Sequence, residues 1–121
     1  MTDFLGIIRI PLTSNPLSLN ARMHWSQKAR HTKKWRAFAA QEAAHFPEMG
    51  ACDVTLTWFV KTNHRRDEDN LFLLMKALAD GIVDAGVVRD DTPDLMGKQC
   101  RIERAPTHEP IAYMELKVEN R

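Results

Sequence analysis

The sequence contains little of what disulfide-rich or zinc-stabilised proteins are built from. Its 121 residues include two cysteines, Cys52 and Cys100, which form no Cys-x-x-Cys motif and no cluster with histidine. A disulfide framework or a zinc site is therefore not expected, and both thiols are predicted to be free. A chain of this length is expected to bury a sufficient hydrophobic core without such cross-links.

Long apolar runs are also missing. No stretch is long enough to cross a bilayer, and the N-terminal segment lacks the basic residues that precede the apolar part of a secretory signal peptide. We therefore expect a cytoplasmic protein with no membrane partner. Hydrophobic residues at 44% and charged residues at 27% are typical of a globular domain. Because repeats and linkers are absent, we predict a single domain over residues 1–121.

Acidic residues are missing from one long segment and concentrated in another. Between Phe4 and Gln41 there is no aspartate or glutamate, and the net charge is +7. Between Asp67 and Asp94, eight acidic residues stand against two basic ones, giving −6. A basic segment beside a compact acidic one predicts a surface that binds phosphates and carboxylates that hold a cation against them. The basic residues of the first segment are Arg9, Arg22, Lys28, Arg30, Lys33, Lys34 and Arg36.

Hydrophobic patterning predicts an α+β domain. Helical spacing of apolar residues favours helices from about Ser26 to His45 and from about Glu68 to Asp84. Strands are predicted at residues 5–10, 54–60, 98–104 and 112–118. The order β-α-β-α-β-β predicts a small mixed sheet covered by two helices. Trp58 and Phe59 are expected to lie in the core.

The acidic segment is the main candidate for chemistry, since the chain has no P-loop, no dinucleotide-binding glycine pattern and no serine or cysteine nucleophile motif. Asp67 and Asp69 sit two apart between a strand and a helix, so both carboxylates can face one ion. Asp91 can join them only if the chain returns after the second helix. Three carboxylates suit a hard cation, Mg²⁺ or Mn²⁺. The alternatives are that Asp67 caps the helix and that Asp90 and Asp91 are turn residues.

Two stretches in this region resemble the RusA-type Holliday junction resolvases. HRRDEDN (residues 64–70) and KALADGIVDAGVVRDD (residues 76–91) are similar to that family's RRDxDN segment, its Lys followed four residues later by Asp, and its GVxxDD motif. NPLSLNARMHW (residues 15–25) is similar, less specifically, to the family's Pro/Asn-containing loop. The matching core covers roughly residues 64–94.

The resemblance implies a Mg²⁺- or Mn²⁺-dependent endonuclease that acts as a homodimer. The family resolves four-way DNA junctions by paired nicks in strands of like polarity. Its catalytic, metal-binding carboxylates correspond to Asp67, Asp69 and Asp91, and its catalytic lysine corresponds best to Lys76. We expect the dimer to form through the N-terminal strand around Ile7, Ile8 and Ile10 and the loop after it.

Lys76 departs from the family pattern. Five residues separate it from Asn70, where the family has two. Three extra helical residues keep the lysine near the same face but move it almost one turn along, about 4.5 Å. Asp69 and Lys76 are still on one side of the helix. Lys76 is therefore expected either to reach a phosphate or only to pair with Asp80.

The remaining expectations concern DNA contacts. Arg65 and Arg66 flank the carboxylates and are predicted to hold phosphates, or else to shield the acidic charge. Trp25 is expected either to stack on an unpaired base or to lie in the core. Two other functions stay open: a catalytically impaired DNA-binding module of the same fold, and a metal-dependent nuclease for other nucleic-acid structures. The predicted phosphate-binding set is Arg65, Arg66, Arg22, Lys28, Arg30, Lys33, Lys34 and Arg36, although any one of these also fits a solvated helix face.

Overall fold

The α+β prediction is confirmed by a computed structural model that describes residues 3–18 and 23–121. Four strands form one sheet, and two helices cover one of its faces. No helix in the described part of the chain is both long and apolar enough to span a membrane. In chain order the elements are β1 (Leu5–Ile10), α1 (Trp25–Glu42), β2 (Cys52–Val60), a 3₁₀ turn (Glu68–Leu71), α2 (Phe72–Asp84), β3 (Met96–Arg104) and β4 (Tyr113–Asn120).

The sheet is mixed, with the strand order β1-β4-β2-β3. Strand β4 runs antiparallel to both β1 and β2, and β2 pairs with β3 in parallel. Strands β1, β2 and β3 therefore point the same way, and each helix runs back between two of them. The N-terminal ends of both helices consequently lie toward the carboxyl ends of β1 and β2. At the opposite end, the Met49 amide donates to the Val87 carbonyl at 2.6 Å and ties together the segments that follow the helices.

The core lies between the helices and one face of the sheet. Alternate strand residues such as Ile8, Ile10 and Leu116 are buried there, as period-two patterning requires. The predicted apolar stripe of α2 is buried throughout. On α1, Trp35 and Ala39 are buried. The buried α2 stripe, with the turn that precedes it, is Leu71, Leu74, Met75, Leu78 and Ile82.

The two helices cross in close contact at Gly81. A Cβ atom at this position would lie 2.3 Å from the Arg36 carbonyl oxygen and 2.7 Å from the Ala39 Cβ. Only a residue without a side chain fits so tight an approach. Helix α1 ends at Glu42 rather than near His45, because the chain continues in a turn after its C-cap at Ala43.

The second face of the sheet is open and carries a mixture of apolar and charged residues. Leu5 and Ile7 are more than half exposed on β1. Phe59 also belongs to this face, where it stacks on Tyr113 with ring centroids 4.8 Å apart. The expectation that Phe59 is a core residue is therefore wrong, because the alternation along β2 turns it away from the helices.

Two other expectations are resolved by the same alternation. Trp58 faces the helices, is partly buried against the core, and donates from its indole nitrogen to the Thr13 carbonyl at 3.2 Å. Ile8 and Ile10 are buried within the core of one chain. They cannot form a dimer surface, so that part of the expectation is wrong, and Ile7 alone of the three residues is accessible.

Candidate active site

The first two predicted carboxylates lie directly beyond the carboxyl end of β2. The Asp67 side chain accepts a hydrogen bond from the Asp69 amide at 3.1 Å and so begins the 3₁₀ turn. The capping role predicted as the alternative is therefore present. Both side chains are exposed. A carboxylate has two oxygens, so capping through one of them leaves the other available.

Glu68, between the two aspartates, was expected only to complement the helix dipole with Asp69, and its contact with β3 was not predicted. Its carboxylate reaches sideways and accepts a hydrogen bond from the Ile102 amide of β3 at 3.0 Å. Strand β3 is an edge strand of the sheet, and this amide points away from its neighbour β2. The contact anchors the acidic segment to the edge of β3, and no local sequence pattern indicates a bond across 34 residues.

The edge of β3 continues from this contact toward Asp69. Burial, together with the nearby charges of Glu68 and Asp69, raises the pKa of the Cys100 thiol to about 11. Asp69 therefore lies close enough to β3 for its charge to act on Cys100. A thiol with so high a pKa is poorly nucleophilic at neutral pH, so Cys100 is a structural residue of this edge.

Asp91 returns to the same region, as the sequence analysis required. Its Oδ2 accepts a hydrogen bond from Lys76 Nζ at 2.6 Å and lies 3.4 Å from Lys98 Nζ. Lys98 Nζ also donates to the Asp91 backbone carbonyl at 2.6 Å. The hydrogen bond from Lys76 and the charge of Lys98 hold the pKa of Asp91 below its ordinary value of 3.8. Lys98, two residues before Cys100 on β3, was missed by the sequence analysis.

Lys76 makes the pair with Asp80 that the sequence offered as one alternative, and a contact with Asp91 that the sequence did not predict. It donates to Asp91 and also to Asp80 one turn along the helix, at 3.0 Å. Hydrogen bonds from Lys76 to these two carboxylates raise the lysine pKa above its ordinary value. Asp80 in turn lies 3.9 Å from Arg36 of α1. Alternating charges therefore run from α1 across α2 to β3.

The three predicted metal ligands follow one edge of the sheet without meeting at one point. Lys98, beside Asp91, and Ile102, beside Glu68, are four residues apart on β3, a span of about 13 Å. Within residues 3–18 and 23–121, no three histidine, cysteine, aspartate or glutamate side chains are arranged to share a metal ion. The donor chemistry suits Mg²⁺ or Mn²⁺, but the carboxylates are not gathered, and Asp91 is neutralised by two lysines.

The two arginines before Asp67 differ in their surroundings, since Arg66 is held by hydrogen bonds and Arg65 is exposed to solvent. Arg66 donates from Nη1 to the carbonyls of Thr62 and His64, both at 3.0 Å, and its guanidinium lies 5.1 Å from the centre of the Trp58 ring. Arg65 is exposed. Both arginines and Asp67 line two adjoining cavities of about 530 and 280 Å³, so cationic groups and a carboxylate face the same space.

The basic residues of α1 fall into two groups. Arg36 is held by Asp84, with hydrogen bonds of 2.6 and 2.9 Å from its Nε and Nη2, so it is not free to contact DNA. The other predicted cations of α1 are exposed, and Trp25 at its N-terminus is 75% exposed and therefore not a core residue. Arg22 lies outside the described residues. The exposed cations are Lys28, Arg30, Lys33 and Lys34.

Comparison with known proteins identifies no activity. No family model matches the chain. A protein of Xylella fastidiosa (strain Temecula1 / ATCC 700964), described only as uncharacterized, is 31% identical over 85 residues, which cover 64% of this chain and 56% of the relative. The chain therefore spans just over half the length of this relative, and the similarity assigns no function to it.

Proposed function

We propose that the protein is a Mg²⁺- or Mn²⁺-dependent endonuclease that resolves four-way DNA junctions by paired, symmetric nicks. The observation that carries this proposal is the 2.6 Å contact between Lys76 and Asp91. These residues belong to two separate pieces of the RusA-like pattern, 15 residues apart in the chain. Their contact supports reading the pattern as one site.

The position of the acidic segment also supports the proposal. Asp67 and Asp69 follow the carboxyl end of a central strand, where sheets with parallel strands commonly bind ligands. Arg65 and Arg66 line the same cavities as Asp67. A phosphodiester bound there would meet cationic side chains beside the carboxylates, which is what a metal-dependent nuclease requires.

In this proposal Asp67, Asp69 and Asp91, which lie apart along the edge of β3 in the described structure, would hold the metal ion after they are drawn together. When bound, the ion would lower the pKa of the attacking water and stabilise charge on the leaving oxygen. For Asp91 to become a ligand, its Oδ2 must release the Lys76 ammonium. Lys76 is then free to contact a phosphate.

The preference for branched DNA rests on symmetry. A four-way junction has near two-fold symmetry, and its resolution needs two opposed cuts. One chain with one acidic site supplies a single cut at a time, whereas two copies related by a two-fold axis supply both. We therefore propose a homodimer, and the exposed Leu5 and Ile7 of β1 are its candidate surface.

One observation favours a second candidate, a DNA-binding module without catalysis. The two ammonium groups on Asp91 lie at 2.6 and 3.4 Å, where they compete with a cation for the same oxygen. If the competition holds in solution, the metal is not retained and only DNA binding remains.

The deciding experiment is a cleavage assay with Mg²⁺ on a four-way junction, beside a linear duplex and an RNA of the same sequence. A nuclease for branched DNA cuts the junction selectively, whereas a binding module retains the junction and cuts nothing. Preferential cleavage of the duplex or the RNA would instead identify a nuclease of different substrate class.

Asp91→Asn is expected to abolish cleavage while junction binding survives, because the ligand charge is lost but the basic contacts remain. Asp94→Asn, three residues along the same loop, is the matched control and should leave the rate unchanged.

Lys76→Ala should lower the rate of cleavage steeply with little change in the affinity for the junction. Full activity of the Asp91 variant would exclude the assigned site.

A further inference from the structure

The N-terminal half of α1 exposes an aromatic side chain that the core does not use. Trp25 is 75% exposed, far more than tryptophan side chains usually are. It forms one end of a groove of about 440 Å³, here called the Trp25 groove, whose surface is mostly apolar. The groove is lined by Trp25, Lys28, Ala29, Thr32, Lys33 and Arg36.

The groove continues the inward face of the helix beyond the body of the protein. Trp25, Ala29, Thr32 and Arg36 repeat at spacings of three and four residues, and Ala39 follows in the core. Measured from the crossing at Gly81, α1 extends about 21 Å to its first residue, whereas α2 extends about 14 Å. The first residue of α1 therefore lies about 7 Å, a little more than one helical turn, beyond the first residue of α2.

The charged side chains that line this exposed face are all basic, and the one nearest the core, Arg36, is paired with Asp84. Lys28 and Lys33 line the groove and are exposed, and Arg30 and Lys34 are exposed on neighbouring turns. No acidic residue occurs between Phe4 and Gln41. The occupant that fits an aromatic ring flanked by lysines is therefore a flat, apolar group attached to an anion, as in a nucleotide of a single strand.

We infer that the Trp25 groove is a subsite for an unpaired nucleotide, with the base stacked on Trp25 and the adjoining phosphates held by Lys28 and Lys33. The inference rests on the proposed function, because it names the part of a branched substrate that this protein recognises. The groove lies on the N-terminal side of α1, and both helices have their N-termini toward the carboxyl ends of the strands. The acidic segment lies at that same end.

A paired duplex would use this surface differently. Its bases are stacked on one another and offer the tryptophan no free face, so only the lysines would contribute, through phosphates. A loss of Trp25 should therefore weaken binding to unpaired DNA and hardly affect a duplex. This difference separates recognition of an unpaired base from general attraction of a basic helix to DNA.

The test is binding to a fluorescent thymidine oligonucleotide and to a blunt duplex of matched length, measured by anisotropy in EDTA so that no cleavage occurs. Trp25→Ala should weaken binding to the single strand about tenfold and to the duplex less than twofold. Trp25→Phe should retain part of the affinity. Lys117→Ala, on the open face of the sheet, is a remote control and should change neither affinity.

A second measurement observes Trp25 directly. The difference in fluorescence between the wild-type protein and Trp25→Phe isolates this residue from the other two tryptophans, and the oligonucleotide should quench it. Equal affinity of the variant and no quenching would overturn the inference. Loss of self-association in Trp25→Ala, with unchanged DNA binding, would identify a second copy of the chain as the occupant and also overturn it.

The two proposals fail separately. The binding measurements contain no metal and need no catalysis. If the Trp25 groove does not bind single-stranded DNA, the proposal that the protein cleaves junctions still stands. Conversely, a protein that cuts no substrate but whose Trp25 is quenched would lose the nuclease assignment and keep the subsite.

Discussion

Asp91 takes its position from two lysines that belong to different elements. Lys76 approaches from α2, and Lys98 approaches from β3 with its ammonium also on the Asp91 backbone carbonyl. If Lys76 leaves when a cation binds, Lys98 is the residue that still holds the loop in place. We therefore regard Lys98 as a positioning residue for Asp91.

Lys98→Met should reduce stability near pH 7 by about 1 kcal/mol, since hydrogen bonds to a partly buried carboxylate and carbonyl are lost. Asp91 has a pKa below 3.8 in the folded protein, so its charge contributes stability above that value and loses the contribution as the pH falls through the lowered pKa. The difference in free energy of unfolding between the Lys98→Met variant and the wild type should therefore become smaller in acid.

Urea unfolding of the variant and the wild type at about pH 7 and about pH 2 measures this stability difference under both conditions. Lys117→Met is the control, because Lys117 makes only an exposed pair with Glu119 at 3.6 Å, and such pairs contribute little. A difference of the same size at both pH values would show that Lys98 acts through packing rather than through the Asp91 charge.

Single residues show where sequence reasoning succeeds and where it stops. The positions of Asp67 and Asp69 before a helix could be predicted, because spacing and capping act over a few residues. The contact of Glu68 with Ile102 and the role of Lys98 could not, because they depend on which backbone groups the last strand leaves unpaired. That depends on the order of strands in the sheet.

Among the elements, α1 and α2 cross in close contact at Gly81. A glycine in a helix interior normally weakens the helix by up to about 1 kcal/mol relative to alanine. At Gly81 this preference is reversed, because the added methyl group would collide with the Arg36 carbonyl and the Ala39 side chain.

Gly81→Ala is expected to destabilise the protein by about 1–3 kcal/mol, since backbone cannot move aside as a flexible side chain can. The matched control is Gly50→Ala, where an added methyl group meets nothing within 4 Å, and which should leave stability unchanged or slightly increased. Chemical denaturation compares the two variants. A stabilised Gly81→Ala protein would mean that the helices are farther apart than described.

The elements themselves were largely predictable, because each has its own period of apolar residues. β1 was predicted with its observed ends at Leu5 and Ile10, and the second helical segment begins at Glu68 as expected. The sheet order was not predictable, since the insertion of β4 between β1 and β2 depends on contacts between distant residues. Phe59, by contrast, takes its partly buried place on the open face from the alternation of side chains along β2.

At the scale of the whole molecule, the sheet is covered on one side only. The helices occupy one face, and the open face presents Leu5 and Ile7 near one end of β1. Strand β1 is also the outermost strand, pairing with β4 alone. Exposed apolar residues on an outer strand are suited to contact a second copy of the chain, as the proposed dimer requires.

The double variant Leu5→Lys, Ile7→Lys should convert the dimer to a monomer, because two like charges would face each other across a two-fold axis. Light scattering at micromolar concentration gives the mass. Ile111→Lys changes an isoleucine of similar exposure outside the strands and should leave the dimer intact. A wild-type protein that is monomeric both alone and on a junction would contradict the dimer and weaken the resolvase proposal.

The hydrogen bond that the Ile102 amide donates to Glu68 also bears on how the protein behaves at high concentration. Strand β3 ends the sheet, and the outward amides of such a strand can template pairing with another molecule and lead to aggregation. Glu68 occupies one of these amides and places a negative charge beside it. The residue that anchors the acidic segment thus also blocks this edge against edge-to-edge polymerisation, while the opposite edge, β1, stays accessible for specific association.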